Sequence, residues 1–351
     1  MRKSTKILVI GLGAAGQRHA RNLRSVLGDQ LELLAYRSRI TSPALNERLE
    51  VIPGADPAVK LGAKVFLKLE DALSARPQAV VIANPSSQHL SVAHAAVEAG
   101  CAVFIEKPLS HTWDGVPEFL ELVKRKQVPT FVGYQWRFHP LLKSLKSYLE
   151  NRPLGRLVAV RASFGEYLPG WHPYEDYRES YASRRELGGG VLLTQIHDFD
   201  YLGWLLGWPD QVFSIGGHLS DLEISVEDVA STLLRCSVDG RIIPVHVHQD
   251  YLQRPAVRGC ELLAEHGRVN VNLAQGRWQS WDASGTCILE KDFGNFDRNE
   301  MFLAETDHFL NCLEGSEKSI VSANEGARSL AISLAAQRSQ SSGRPESVVY
   351  P

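Results

Sequence analysis

The first third of the chain alternates short apolar runs with stretches of helical periodicity. Apolar runs of four to six residues, typical of strands buried on both faces, lie at 6–10, 31–36, 64–67, 79–83, 102–106 and 130–133. Helical patterns lie at 14–27, 70–75, 87–99 and 114–126. Strands that alternate with helices form a parallel sheet with helices on both of its faces. We therefore predict an α/β domain with a doubly wound parallel sheet over residues 1–128.

The rest of the chain has a different pattern. Strand-like runs follow one another at 157–164, 211–217, 230–237, 241–249, 258–265, 268–272, 276–281 and 286–291. One helical pattern interrupts this series at 191–207, and two more follow it at 300–314 and 323–338. Because strands and helices are segregated here, residues 129–351 are predicted to form a second domain of the α+β class.

Composition narrows the range of functions. The 351 residues are 44% hydrophobic and 22% charged, with a net charge of -2, so no nucleic-acid or anionic-membrane partner is expected. Five scattered cysteines without CxxC spacing argue against a disulfide framework and against a metal site, and they favour a cytoplasmic location. No apolar run approaches the ~20 residues of a membrane span. The basic, then apolar start has the outline of a secretory signal, but a buried first strand explains it better.

A glycine-rich turn follows the first strand. Gly11, Gly13 and Gly16 have the spacing G-x-G-x-x-G, with Leu12 and Ala14–Ala15 between them. In a dinucleotide-binding Rossmann domain, such a turn brings the pyrophosphate to the N-terminus of the following helix. The strand before the turn and the helix after it are the context that this interpretation requires. All six residues are predicted to bind the cofactor; the alternative is an ordinary glycine turn.

The end of the second strand bears on the choice of cofactor. An acid there usually binds the ribose 2′-hydroxyl of NAD, whereas cationic groups favour the 2′-phosphate of NADP. This chain instead has Tyr36, Arg37 and Ser38. Guanidinium and hydroxyl groups are good donors to phosphate oxygens, so Arg37 and Ser38 predict that NADP is preferred. The alternative is that Arg37 only stacks on adenine and the cofactor is NAD.

Three further stretches carry a family resemblance. Residues 79–110 end in the tripeptide EKP after the fifth predicted strand, and they are followed by GYQWRFHPLL at 133–142 and by GGGVLLTQIHDFDYLGWLLG at 188–207. In this order they resemble the Gfo/Idh/MocA family of NAD(P)-dependent oxidoreductases. The resemblance implies a Rossmann domain, then a domain with an open, mostly antiparallel sheet, and a C-terminal helix that returns to the first domain. It also implies homodimers or homotetramers that associate through sheet faces.

The EKP stretch contains the first predicted catalytic residue. In the family, the lysine that Lys107 matches reaches the nicotinamide and the substrate hydroxyl. Lys107 follows the fifth strand at the edge of the sheet where open α/β sheets bind ligands, although a surface lysine on a tight turn remains the alternative. Glu106 is predicted to orient this loop or to bind the cofactor. Asn84, Pro85 and His89 follow the fourth strand and are predicted to line the cofactor groove, with a structural histidine as the alternative for His89.

His197 is the second predicted catalytic residue. Three glycines at 188–190 precede the predicted helix 191–207, and without side chains they let backbone pass close to a ligand. Helical geometry places Thr194, His197 and Tyr201 on one polar face, which we expect to line a cleft. The alternative is a satisfied core histidine. The family commonly has an aspartate where this chain has Leu193, so the acid that orients His197 is open, with Asp176 and Asp198 as candidates.

The loop at 165–187 is rich in aromatic rings, acids and arginines. Flat rings and forked donors suit a sugar ring with an anionic group, although such rings often only pack a domain. The residues predicted to contact substrate are Arg137, Trp171, Tyr174, Asp176, Tyr177, Arg178, Thr194 and His197.

These features together predict an oxidoreductase. We expect hydride transfer between NADP or NAD and a secondary hydroxyl or ketone of a sugar, sugar acid or nucleotide sugar. Within this class, transient oxidation that drives elimination or glycoside cleavage is a variant. A non-catalytic NAD(P)-binding regulator and an S-adenosylmethionine-dependent methyltransferase are the alternatives from other classes.

Overall fold

The computed structural model describes residues 4–37 and 42–351, which form two compact units. Unit 1 comprises the chain up to Tyr134 together with Phe302–Ala327. Unit 2 comprises Gln135–Met301 and Arg328–Pro351. No helix in the described ranges is long and apolar enough to cross a membrane.

Unit 1 is built on a six-stranded parallel sheet. Its strands are β1 (Thr5–Ile10), β2 (Leu31–Tyr36), β3 (Lys64–Phe66), β4 (Ala79–Ile82), β5 (Ala102–Ile105) and β6 (Thr130–Val132). Their spatial order is β3-β2-β1-β4-β5-β6, the Rossmann order. Both faces of β4 and β5 are buried, as their unbroken apolar runs require. The predicted doubly wound sheet is confirmed, and each strand boundary lies within one residue of the expected one.

Helices connect the strands of unit 1. They are α1 (Ala14–Leu27), α2 (Pro57–Leu61), α3 (Leu69–Ser74), α4 (His89–Glu98) and α5 (Val116–Lys126). The side chain of Gln17 in α1 anchors Pro43 and Leu45 in the long segment between β2 and β3. Its amide nitrogen donates to the carbonyl oxygens of Leu12 and Pro43, and its amide oxygen accepts from the Leu45 N–H.

Unit 2 contains a nine-stranded sheet. Its strands are β7 (Leu157–Gly165), β8 (Gln211–Gly217), β9 (Val229–Val238), β10 (Arg241–Asp250), β11 (Val257–Ala264), β12 (Gly267–Asn272), β13 (Arg277–Asp282), β14 (Cys287–Asp292) and β15 (Glu346–Ser347). The order is β14-β13-β12-β11-β7-β10-β9-β8-β15. Within this nine-stranded sheet, as far as the structure describes it, only β7 and β10 pair in parallel, and all other neighbouring strands are antiparallel. The open, mostly antiparallel sheet is confirmed.

The predicted helix 191–207 is wrong as a single element. The helices beyond residue 134 are α6 (Pro140–Glu150), α7 (Val191–Thr194), α8 (His197–Leu206), α9 (Arg298–Leu313) and α10 (Ala323–Ser342). Between α7 and α8, the side chain of Gln195 donates to the Asp250 carbonyl, and Gln249 donates to the Gln195 carbonyl. These two buried hydrogen bonds to β10 stabilise the interruption between the helices, and His197 is the first residue of α8.

Candidate active site

The glycine turn of unit 1 has room for a ligand at one position. Gly11 has φ +82°, and a Cβ on Gly16 would lie 2.0 Å from the carbonyl oxygen of Gly11, so neither position tolerates a side chain. By contrast, a Cβ on Gly13 would meet nothing within 4 Å. Gly13 is also the N-cap of α1, and it offers no side chain to the first turn. Open space beside a helix N-terminus fits a dinucleotide pyrophosphate.

Arg37, at the end of β2, already has an acidic partner. Its Nη2 atom lies 2.6 Å from Oδ2 of Asp56. The other oxygen of Asp56 accepts the N–H groups of Ala58 and Val59 and caps α2. The hydrogen bond from Arg37 is the main reason why the pKa of Asp56 lies below its usual value. Sequence analysis did not foresee this carboxylate, and Ser38 lies outside the described residues.

His89 connects two loops at the carboxyl edge of the sheet. Its Nε2 atom lies 2.8 Å from the Asn84 carbonyl oxygen, and its Nδ1 atom lies 2.7 Å from that of Pro108. The ring is 1% exposed, and burial lowers its pKa against the opposing effect of both carbonyls. A buried ring held on both sides favours a structural role for His89, and the prediction that it lines the cofactor groove stays untested. Asn84 and Pro85 are partly exposed beside it.

Glu106 contacts the backbone of Lys107 directly. One oxygen of its carboxylate lies 2.6 Å from Nε2 of His19 on α1, and the other accepts the Lys107 N–H at 3.2 Å. Burial alone would raise the pKa of Glu106, but the hydrogen bond and charge of His19, together with Lys107 and Arg18, hold it below its usual value. Glu106 thus contacts the loop backbone through its own side chain, and its expected roles in orienting the loop or binding the cofactor stay predictions. Sequence analysis did not identify His19.

A second acid lies near Glu106. Glu305 belongs to α9 and is 0% exposed, and neither carboxyl oxygen has a hydrogen-bond partner among the described residues. Burial, and then the charge of Glu106, raise its pKa well above the usual value. Burial and the charge of Glu106 therefore both favour the protonated form of Glu305.

In unit 2, His197 is 6% exposed at the start of α8. Its Nε2 atom lies 3.4 Å from the amide nitrogen of Gln135. An amide nitrogen only donates, so Nε2 of His197 is the acceptor in this contact. With this assignment the lone pair of the neutral ring is at Nε2, where it accepts the Gln135 N–H.

The two acids considered as orienting partners for His197 are both engaged elsewhere. Asp198 is buried, and its Oδ2 atom lies 3.2 Å from Nη2 of Arg258, whose guanidinium stacks on the ring of Phe164. Asp176 is exposed and makes a forked ion pair with Arg178. Neither contact points to an orienting role.

Arg137, which the sequence predicts to contact substrate, is buried in the core. Its side chain is 2% exposed, and its Nε and Nη2 atoms donate to the two oxygens of Asp200 at 2.9 and 2.7 Å. Ser329 of α10 also donates to Asp200. This forked, buried pair argues against an open donor face on Arg137, and its contact with substrate stays a prediction.

Thr194 and Tyr201 are also interior residues. The hydroxyl of Thr194 donates to the Gly190 carbonyl oxygen at 2.9 Å and bonds the hydroxyl of Tyr251. Tyr201 is fully buried, and burial raises the pKa of its hydroxyl well above the usual value. The expected polar face of one continuous helix is therefore wrong at these two positions, because the break after α7 gives Thr194 and His197 different environments.

The glycines at 188–190 are explained by the packing of the chain itself. A Cβ on Gly189 would lie 2.5 Å from the carbonyl oxygens of Tyr181 and Ala182. Gly190 has φ +105°, and a Cβ there would lie 2.5 Å from the Glu227 carboxylate. That carboxylate also accepts the Leu192 N–H at 3.2 Å. The space expected for a ligand at these two glycines is filled by backbone and by an acid.

The loop 165–187 is held together by its own contacts. Trp171 packs edge-on against Tyr251, and Tyr174 stacks on His172. The Tyr177 hydroxyl accepts the Glu223 N–H at 3.3 Å. These contacts account for the aromatic residues as packing, and their contact with substrate stays a prediction.

Sequence comparisons agree with this architecture. Residues 5–134 match the sequence model described as oxidoreductase family, NAD-binding Rossmann fold. Residues 142–270 match the GFO/IDH/MocA C-terminal domain. The chain is 28% identical over 349 residues to myo-inositol 2-dehydrogenase of Thermotoga maritima, covering 95% of this chain and 96% of the relative. It is 24% identical over 358 residues to scyllo-inositol 2-dehydrogenase (NAD(+)) of Bacillus subtilis, covering 98% and 96%.

Solved structures share the fold over nearly the whole chain. The WlbA dehydrogenase from Bordetella pertussis, in complex with NADH and UDP-GlcNAcA, superimposes with a TM-score of 0.79 at 23% identity and covers 100% of both chains. Levoglucosan dehydrogenase, in complex with NADH and levoglucosan, gives a TM-score of 0.80 at 19% identity and covers 98% of this chain and 99% of that one.

Proposed function

Because the chain belongs to the Gfo/Idh/MocA family of NAD-binding oxidoreductases, we propose that it is a cytoplasmic dehydrogenase of a ring secondary hydroxyl. Its substrate class is a cyclic polyol, sugar, sugar acid or nucleotide sugar, as the names of its relatives suggest. One observation carries the proposal: unit 1 combines a glycine turn with room for a pyrophosphate and a lysine whose backbone is fixed at the carboxyl edge of the same sheet.

The proposed chemistry assigns one task to each predicted catalytic residue. A bound nicotinamide dinucleotide supplies the hydride acceptor. The task of His197 is to accept the proton of the substrate hydroxyl at Nε2, and the task of Lys107 is to donate a hydrogen bond to a substrate oxygen. In the reductive direction, the imidazolium of His197 returns the proton to the carbonyl oxygen. The contact between Gln135 and Nε2 of His197 supports this choice of atom.

For the cofactor, we propose that both NAD and NADP are accepted and that Arg37 contacts the 2′-phosphate of NADP. Two charge-assisted donors with no acidic partner would favour NADP strongly. Here Asp56 already neutralises part of the charge on Arg37, so the preference for NADP should be small.

We also propose that the chain forms a homodimer or homotetramer through its nine-stranded sheet. Ile215, Leu233 and Ile242 lie on the face opposite the buried residues of β8, β9 and β10, and all three are exposed. A broad sheet face with exposed aliphatic side chains favours association in water. Light scattering at micromolar protein checks this, and a monomer would contradict it.

The dehydrogenase proposal is tested with the purified chain, NAD⁺ or NADP⁺, and a panel of myo-inositol, scyllo-inositol, levoglucosan and a UDP-sugar acid. We expect substrate-dependent reduction of a dinucleotide with at least one member. NADH that binds while nothing on the panel or on a wider polyol set is oxidised would instead favour the regulator. Binding of S-adenosylmethionine in place of NADH would favour the methyltransferase.

A further inference from the structure

The loop that carries Lys107 is fastened on both sides of the lysine. On one side, the Glu106 carboxylate accepts the Lys107 N–H at 3.2 Å. On the other side, the ring of His89 lies 2.7 Å from the Pro108 carbonyl oxygen. The His89 ring is buried and the Glu106 side chain is 16% exposed, so this loop is held by side-chain hydrogen bonds rather than by regular secondary structure.

The Glu106 contact depends on His19. Its Nε2 atom lies 2.6 Å from Glu106, and its side chain is 3% exposed. The ring packs against Phe104 of β5, with 4.7 Å between ring centroids. His19 belongs to α1, the helix that begins at the glycine turn. A chain of direct contacts therefore runs from this helix through His19 and Glu106 to the backbone of Lys107.

Lys107 and Arg18 also lower the pKa of Glu106 through their charges, but the side-chain hydrogen bond that lowers it comes from His19. Glu305 of α9 is close enough for the charge of Glu106 to raise the pKa of Glu305. Removing the N–H of His19 would leave a buried carboxylate beside a second buried carboxyl. Such a site favours the protonated form of Glu106, and a protonated carboxyl is a weaker acceptor for the Lys107 N–H.

We propose that His19 is a positioning residue of the dehydrogenase reaction: through Glu106 it fixes the backbone of Lys107 and so couples the cofactor-binding helix to the lysine. The proposal rests on the proposed function for its catalytic consequence. Its structural part, the control of the Lys107 amide by His19, stands on the contacts of unit 1 alone.

The test compares His19→Leu with His19→Gln, because a glutamine amide retains an N–H donor at the position of Nε2. Hydrogen exchange of the peptide that contains Lys107 is measured first. In His19→Leu, exchange at this amide should be faster by about tenfold or more, as expected for the loss of about one hydrogen bond. His19→Gln should stay within about threefold of the original chain.

Kinetics provide the second readout. His19→Leu should lower kcat by about tenfold or more while the Kd of NADH stays within about threefold. The loss should be larger at pH 6 than at pH 8.5, because a lower pH favours the protonated form of Glu106 once the His19 hydrogen bond is gone, whereas a merely structural defect would not follow pH. Glu106→Gln should reproduce the loss, and the double variant should be no worse, because both changes break one series of contacts.

The outcomes distinguish the positioning role of His19 from the proposed dehydrogenase function. Fast exchange at Lys107 without dinucleotide reduction by the unaltered chain would uphold the positioning and contradict the proposed function. Reduction by the unaltered chain, with unchanged exchange and kcat in His19→Leu, would overturn the positioning alone. If His19→Leu does not fold, Glu106→Gln decides by the same exchange and kinetic measurements.

Discussion

The Arg137–Asp200 pair allows a direct test of whether Arg137 stabilises the core or contacts the substrate. The pair is 2% and 1% exposed, and two hydrogen bonds join the guanidinium to the carboxylate. Replacing Arg137 with methionine keeps much of the apolar stem and removes the charge. Asp200 would then remain buried with the Ser329 hydroxyl but without its cation.

The structure sets the expected magnitude. Removing one partner of a buried ion pair costs about 3–5 kcal/mol, because the other charge stays desolvated. Six of the seven tryptophans lie in unit 2, so fluorescence during urea unfolding reports mainly on that unit. Arg161→Met is the matched control. Its pair with Glu261 is 66% exposed at the arginine, and exposed pairs contribute about 1 kcal/mol or less.

If Arg137 is a core residue, its replacement should leave substrate binding unchanged. The substrate KM of folded Arg137→Met should stay within about threefold, since Arg137 has no open donor face toward a ligand. If Arg137→Met unfolds at the urea concentration of the unaltered chain and raises KM by about tenfold or more, the reasoning from burial is refuted and Arg137 is a substrate residue.

Three further predictions follow from single contacts. Asp56→Asn retains a cap for α2 but removes the negative charge opposite Arg37, so the Kd of NADPH should fall by about tenfold while the Kd of NADH changes little. If fluorescence titrations give an unchanged ratio of the two Kd values, Asp56 does not compete with the 2′-phosphate for Arg37. Burial and the charge of Glu106 raise the pKa of Glu305, so stability is lost as the pH rises from the ordinary carboxyl range through the raised value. Glu305→Gln should therefore raise Tm by about 2 °C or more at pH 8 and leave it unchanged near pH 4, and a lower Tm at pH 8 would speak against a neutral acid. The Cβ of Gly189→Ala would lie 2.5 Å from two backbone carbonyl oxygens, whereas that of Gly170→Ala would meet nothing within 4 Å. In urea unfolding, Gly189→Ala should lower the free energy of unfolding by about 1–3 kcal/mol and Gly170→Ala by much less. Equal losses would show that the close approach of the backbone at Gly189 does not matter.

The parallel sheet could be predicted from the sequence because each of its strands is an apolar run bounded by turns. The break between α7 and α8 could not, because it depends on Gln195 and Gln249, which are far apart in the sequence. The burial of Arg137 was missed for the same reason, since its partner lies 63 positions away. One signal was present and not used: Glu305 falls at helical spacing between Phe302 and Phe309, on a buried stripe of α9.

The two predicted catalytic residues, Lys107 and His197, differ in how much of their surroundings the sequence could predict. Lys107 follows a strand end, where the fold itself predicts ligand binding. The contact of Glu106 with His19 crosses 87 positions, so the support for that loop was visible only in the structure. For His197, the glycines at 188–190 suggested a ligand, but the structure fills the space beside Gly189 and Gly190 with the chain's own atoms.

The most direct test of the account is the turnover of His197→Ala with the best substrate of the panel. Loss of a positioned general base costs about 10²–10⁴-fold in rate, so kcat should fall by that factor while the Kd of NADH stays within about threefold. His218→Ala is the control, since His218 is exposed and bonds only the Leu222 carbonyl and Asp228 among the contacts described; its kcat should not change. If His197→Ala oxidises the substrate at nearly the unaltered rate from pH 6 to pH 9, His197 is a packing residue and the proposed mechanism is wrong.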